Sequence, residues 1–224
     1  MIPRELIGTA QVPGGEELRL FRHGADFMIV LDRNELMSTR MRGSEESLAT
    51  LSHDRIANVT KPRVLIGGYG MGFTLRAALG VFPAGASITV VELVPEIIEW
   101  ARGPMRELGA ECLDDPRVEL VKGDVAPVIR AASGSYDAIL LDVDNGPDGL
   151  VREANNQIYS AYGLRAAKAA LRPGGVLAIW SAAKDEGFVR RLKEAGFAVE
   201  EVSVRARANG KGAKHVIWFA RDAS

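Results

Sequence analysis

Alternating glycines followed by spaced carboxylates give this chain the parts of a nucleotide-handling site. The run Val64-Leu-Ile-Gly-Gly-Tyr-Gly-Met-Gly72 joins an apolar strand to a glycine turn, and Val90-Val91-Glu92 follows. Gly68, Gly70 and Gly72 allow backbone angles closed to other residues and let main-chain atoms approach a ligand. Glu92 comes roughly 20 residues after Gly72, the distance at which a βαβ crossover reaches the next strand tip and a carboxylate can accept ribose hydroxyls. Further on, Asp142 ends the run Tyr136-Asp-Ala-Ile-Leu-Leu-Asp142. Open α/β sheets bind ligands at the carboxyl ends of such strands.

The dinucleotide fingerprint G-x-G-x-x-G/A requires a small third residue, and Phe73 stands close behind the glycines instead. A bulky side chain there opposes close helix-to-strand packing and the aiming of helix-terminal amides at a pyrophosphate. A nucleotide poor in phosphate fits better. Glycines after a strand also make plain tight turns, but three alternating glycines with an acid at this spacing favour a ligand.

These residues need a scaffold, and the 224-residue chain can build one substantial core with a small appendage, since 47% of its residues are hydrophobic. A formal net charge of −1 gives no general attraction for nucleic acid or an anionic membrane. The local basic group Arg205, Arg207, Lys211 and Lys214 reads as a solvated hairpin. One cysteine, Cys112, excludes an intrachain disulfide, and no apolar run nears the roughly 20 residues of a membrane helix. The start Met1-Ile-Pro-Arg-Glu-Leu lacks a basic-then-apolar leader pattern, so the expected location is cytoplasmic. His23, His53 and His215 have no companions at ligand spacing, so no metal is expected.

From Lys61 onward, Val/Ile/Leu-rich runs alternate with amphipathic stretches, the pattern of a parallel sheet covered by helices on both faces. Strands are expected at Arg63 to Gly67, Ser87 to Glu92, Val118 to Lys122, Tyr136 to Asp142 and Gly175 to Trp180. Helices are expected at Thr74 to Val81, Pro95 to Leu108, Val125 to Ala132, Asn156 to Leu171 and Glu186 to Ala195. Ala198 to Arg205 and His215 to Ala220, joined through Asn209-Gly-Lys-Gly212, form a hairpin, so one strand is antiparallel. Before Lys61, Leu18 to His23, Phe27 to Leu31 and Glu35 to Met41 read as three short strands followed by a helix from about Ser44. The expected domains are residues 1–60, a small β-hairpin domain plus connecting helix, and residues 61–224, Rossmann-like and cofactor-binding.

Taken together, these residues resemble the class I S-adenosylmethionine-dependent methyltransferase fold and, more narrowly, the spermidine synthase family. Val64 to Arg76 is similar to that family's glycine loop, Val91-Glu92 to its ribose-binding acid and Lys122-Gly-Asp124 to its adenine-binding acid. Tyr136 to Asp142 is similar to the strand ending in its catalytic aspartate, Leu171-Arg-Pro-Gly-Gly-Val-Leu177 to the turn and strand that follow, and Phe27 to Asp32 to its last N-terminal hairpin. The resemblance implies an α/β fold with a Rossmann-like, seven-stranded, mostly parallel sheet, a terminal antiparallel hairpin and a small N-terminal β-domain. It also implies that Gly68, Gly70 and Gly72 face the methionine part of the cofactor, Glu92 the ribose and Asp124 the adenine amine, with Tyr69, Met71, Leu93, Val125 and Asp142 beside them. A helix N-cap before Val125 is an equally good use of Asp124.

The chain also departs from that family. Polyamine synthases hold the ammonium of decarboxylated S-adenosylmethionine partly with an aspartate in the glycine loop, where this chain has Met71. A carboxylate–ammonium pair at ~4 Å has a gross attraction of about 4 kcal/mol at an effective dielectric of 20, and about half of that is a preference above tenfold. Its loss favours intact S-adenosyl-L-methionine. The family's Tyr-His/Gln-Glu near its first helix is replaced by Ser44-Glu-Glu46, and Trp180 replaces a glutamine. After Asp142, the second family acid is replaced by Asn145, with Asp144 and Asp148 nearby as either substitutes or turn residues.

The reading is therefore an S-adenosylmethionine-dependent methyltransferase acting on a small, cationic acceptor. If the acceptor is an amine, Asp142 would orient it and remove or accept its proton, with Tyr159 and Trp180 as pocket walls; Asp142, Asn145 and Tyr159 are the catalytic candidates. The alternative is a polyamine aminopropyltransferase using decarboxylated S-adenosylmethionine, and a non-catalytic nucleoside-binding module is a further one. A metal-dependent catechol-type enzyme fits poorly, because Ser181-Ala-Ala stands where that group has its Asp-Asn pair. No nucleic-acid or membrane partner is expected. Family relatives commonly form dimers or tetramers, so a homodimer is the expected assembly, with Leu36 and Met37 as interface candidates.

Overall fold

The computed structural model describes residues 3–143 and 157–223. A four-stranded antiparallel sheet comes first, made of β1 (Glu5–Gln11), β2 (Glu17–His23), β3 (Asp26–Leu31) and β4 (Asn34–Ser38) in sequential order. α1 (Gly43–Arg55) leads into a seven-stranded sheet built from β5 (Arg63–Gly67), β6 (Ser87–Glu92), β7 (Val118–Lys122), β8 (Tyr136–Leu141), β9 (Leu171–Ser181), β10 (Phe197–Arg205) and β11 (Lys214–Asp222). The intervening helices are α2 (Phe73–Val81), α3 (Pro95–Arg102), α4 (Val125–Ala131), α5 (Ala161–Ala170) and α6 (Glu186–Glu194).

The large sheet has the order β10-β11-β9-β8-β5-β6-β7, and β11 alone runs antiparallel to its neighbours. This is the expected α/β architecture with its terminal hairpin. Strand residues alternate between two cores because successive side chains point to opposite faces. Val64, Ile66, Ala138 and Leu140 pack with α1, α2 and α3, while Leu65, Ile139 and Leu141 pack with α4, α5 and α6. Inner residues of the small sheet, Leu18, Leu20, Ile29 and Leu31, belong to the first of these cores. The chain moves from β5 outward to β7, then returns to place β8 on the other side of β5, so β5 and β8 flank the switch point where such sheets bind ligands.

Some boundaries differ from expectation. The small sheet has a fourth strand, β1, whose Gly8 lies against α3: a Cβ there would meet the Trp100 indole nitrogen at 2.8 Å. α3 stops at Arg102 rather than Leu108, because Pro104 cannot continue a helix, and the chain proceeds as two short 3-10 turns at Arg106–Leu108 and Ala110–Asp114. β9 begins at Leu171, where the expected helix was to end, and its register with β8 shifts between Tyr136 and Ala138. Asn145, Asp144 and Asp148 lie outside the described residues, as does the start of the helix expected at Asn156.

Candidate active site

At the carboxyl ends of β5 and β8 opens a cavity of about 340 Å³, with an upper wall from the small sheet. Its glycine loop requires glycine for steric reasons. Gly68 has φ +85°, and a Cβ there would lie 2.8 Å from the Asp142 carbonyl oxygen, so loop and β8 end meet backbone to backbone. Gly72 has φ +78°, and its missing Cβ would lie 2.7 Å from the Tyr69 hydroxyl oxygen. Phe73 is buried in the core as the first residue of α2, with the Arg76 guanidinium 5.1 Å from its ring centre.

Glu92 is 5% exposed at the tip of β6. Its Oε2 accepts the Tyr69 N–H at 2.8 Å and the Gly70 N–H at 3.4 Å, while Oε1 accepts the Val94 N–H at 2.9 Å. Burial raises its pKa and these backbone donors oppose the rise. The carboxylate thus fixes the glycine loop as well as facing the cavity. Asp124 caps α4, its Oδ1 accepting the Ala126 N–H at 2.8 Å, and also lines the cavity, so its capping use and its place in the site coexist.

Of the sequence-derived candidates, Gly68, Tyr69, Gly70, Met71, Glu92, Leu93, Asp124, Val125, Asp142 and Trp180 all line this cavity. Gly72 sits directly behind them as the N-cap of α2. Tyr159 does not join them: it is 2% exposed, edge-on to Phe188 at 5.6 Å, and its hydroxyl donates to the Val143 carbonyl at 3.4 Å. Its position is that of a core aromatic, the commoner use of such a ring. Leu36 and Met37, read from sequence as interface candidates, also line the cavity, with Met37 Sδ 3.3 Å from where a Gly70 Cβ would be. Asn145 is outside the described residues.

The residue that sequence reading missed is Glu45. It lines the cavity from α1, and its carboxyl senses that of Asp142. Thr74 lies between the two acids: its hydroxyl donates to Asp142 Oδ2 at 3.1 Å and is 3.4 Å from the Glu45 carbonyl oxygen. Burial first, then the charge of Asp142, raises Glu45 to about 8, and burial raises Asp142 to about 6 against the pull of the Thr74 hydrogen bond. Glu46, one position on, is engaged by Arg76 at 3.1 Å and Arg42 at 3.4 Å. The Trp180 indole N–H is buried without a partner among the described residues. Among those residues there is also no group of three or more His, Cys, Asp or Glu fit to hold a metal ion, and no helix long and apolar enough to cross a membrane.

A switch-point cavity with a glycine loop, two acids at successive strand tips and a third at the end of β8 is what a nucleoside with a reactive tail requires. The spermine/spermidine synthase domain family matches residues 46–186, more than half of the chain. The chain belongs to this family. Among spermine/spermidine synthase relatives, a polyamine aminopropyltransferase of Mycobacterium tuberculosis is 28% identical over 204 residues, covering 87% of this chain and 38% of its own length. Putrescine N-methyltransferase 4 of Nicotiana tabacum is 36% identical over 127 residues, covering 56% of this chain and 31% of its own length. The chain therefore spans well under half the length of these curated relatives. A solved spermidine synthase in complex with the transition-state analogue AdoDATO superposes with a TM-score of 0.74 at 20% identity, over 96% of this chain and 71% of that one. The spermidine synthase from Thermotoga maritima gives the same values, and both likenesses are likenesses of fold.

Proposed function

We propose that this chain transfers an aminopropyl group from decarboxylated S-adenosylmethionine to an aliphatic di- or polyamine. The observation that carries the proposal is the meeting of the glycine loop with Asp142 and Glu45 in one cavity, where these two half-buried acids have no ion-pair partner among the described residues. The sequence argument against aminopropyl transfer was the uncharged Met71. That argument weakens once Glu45 brings a carboxyl group to the same cavity from another element. The kinship with polyamine aminopropyltransferases points the same way.

The residues present fit the cofactor. Glu92 has acceptor capacity left for ribose hydroxyls, since an ionised carboxyl offers about four lone-pair sites. We assign Asp124, which lines the cavity, to the adenine amine and the glycine loop to the tail. Bound there, the cofactor supplies an already activated sulfonium carbon, so the protein's task is placement of the acceptor and removal of its proton. Asp142 is the group we assign to that proton. A second reading, methyl transfer from intact S-adenosyl-L-methionine to a diamine, is favoured by Met71, which is buried and apolar in the loop, and by the tobacco relative.

Incubating the purified protein with putrescine and each cofactor in turn, with products weighed by mass spectrometry, decides between the two. Spermidine from the decarboxylated cofactor establishes the first reading and N-methylputrescine from the intact cofactor the second. Neither product across several di- and polyamines overturns amine transfer.

A further inference from the structure

Glu45 stands at the end of a hydrogen-bonded string that the fold does not otherwise require. Its Oε2 accepts from the Ser44 hydroxyl at 2.9 Å, and that hydroxyl is 2.9 Å from His215 Nδ1. An ionised carboxyl only accepts, so with Glu45 charged the serine proton points to it and His215 carries its hydrogen on Nδ1. With Glu45 protonated, the same string can run in reverse. Ser44 is not spent on capping α1, which starts instead with the Gly43 N–H donating to the Ala206 carbonyl at 2.8 Å. The ring of His215 packs edge-on to Trp180 at 4.9 Å, and burial keeps its pKa below the usual value, so it stays neutral.

The charges around Glu45 leave it without a counter-ion. On α1, Glu46 is taken by Arg42 and Arg76; α2 offers the neutral Thr74; β8 ends in Asp142; β9 and β11 offer Trp180 and His215; β4 brings only Glu35 at the exposed mouth. Two half-buried carboxyl groups facing one cavity, with no Lys or Arg among its described lining residues, are costly to ionise together unless something positive arrives.

We propose that Glu45 and Asp142 together form a two-carboxyl seat for an aliphatic ammonium, with Ser44 and His215 acting as positioning residues that hold Glu45 and conduct its proton. This rests on the amine-transfer reading and adds the residues that select the amine. The free seat holds one proton near neutrality, since Glu45 is raised to about 8 and Asp142 to about 6. Entry of an ammonium expels that proton to solvent: one O–H bond of Glu45 breaks, and no other bond changes. The ammonium belongs either to the acceptor or to the decarboxylated cofactor.

Calorimetric titration at pH 7, in two buffers of different ionisation heat, reads both affinity and protons released. Putrescine and decarboxylated S-adenosylmethionine are titrated separately into the wild type, Glu45→Gln and Ser44→Ala, with thermal midpoints as the check of folding. About one proton is released by the ligand that uses the seat; in Glu45→Gln the release vanishes and that ligand binds more than about tenfold more weakly. In Ser44→Ala the release remains but its pH midpoint rises, because the ionised form has lost a donor. The arm that responds tells which ammonium is seated. A folded Glu45→Gln protein that binds both ligands as the wild type does overturns the seat while leaving amine transfer standing. A wild type that binds neither overturns both.

Discussion

The Glu92 carboxylate holds the Tyr69 main chain, accepting its N–H at 2.8 Å from the tip of the neighbouring strand. The glycine loop is thus shaped before any ligand arrives. Glu92→Gln keeps one acceptor oxygen for the three N–H groups of Tyr69, Gly70 and Val94, so at least one buried donor loses its partner. Stability is expected to fall by about 1–3 kcal/mol, with cofactor affinity falling as well. Urea denaturation and calorimetry check this, and an unchanged unfolding midpoint would contradict it.

Gly72→Ala combines a left-handed φ of +78° with a Cβ placed 2.7 Å from the Tyr69 hydroxyl. The backbone term alone costs about 1–2 kcal/mol. The Tyr69 ring carbon Cζ would also lie 2.8 Å from that Cβ, so adding Tyr69→Phe removes only the hydroxyl contact and is expected to recover only a small part of the loss. Equal midpoints for single and double variants would show that the hydroxyl contact contributes nothing.

Asp142→Asn preserves shape and the Thr74 hydroxyl partnership but cannot take a proton from an amine. Turnover with the true acceptor is expected to drop by at least about 100-fold, the low end for a lost general base. Steady-state rates at saturating substrate measure it. Full turnover in this variant sinks the role assigned to Asp142.

Stability of the ligand-free protein should decline as pH rises. Glu45 is raised from 4.5 to about 8 and Asp142 from 3.8 to about 6. A carboxyl raised on folding binds more proton in the native state, so its contribution is complete below its usual value and is lost as pH climbs through the raised one. The window runs from about pH 4 to about pH 8. Glu45→Gln is expected to remove the decline between about pH 6 and pH 8, where Glu45 alone titrates, and to lessen its slope between about pH 4.5 and pH 6, where Asp142 contributes as well. Denaturant midpoints across this range, compared between the two proteins, provide the check.

The parallel sheet was legible because Val64 to Gly67, Ser87 to Glu92 and Tyr136 to Leu141 are short apolar runs bounded by turn residues. β1 was not, since Gly8 and polar neighbours dilute its pattern, and only Trp100 on α3 explains the glycine. Pro104 was a visible stop inside the stretch read as a helix to Leu108. The glycine loop, Glu92 and Asp124 were found through spacing. Glu45 stood in view in Ser44-Glu-Glu46, but there it marked a departure from the family's motif rather than an acid facing the site. A signal was present: Glu45 precedes Leu48, Ala49 and Ser52 at helical spacing, and all three are buried on α1. An acid on that face, with Arg42 and Arg76 occupied by Glu46, had nowhere to point but inward.

β11 lies between β9 and β10, although it follows both in the chain. During synthesis the sheet therefore keeps an open slot between β9 and β10 until β11 has left the ribosome. The same strand delivers His215 to Ser44, and the hairpin it completes supplies the Ala206 carbonyl that anchors the first residue of α1. The contacts that hold the start of α1, and with it Ser44 beside Glu45, therefore form only once the β10–β11 hairpin is in place. A chain cut short after β10 would lack that anchor.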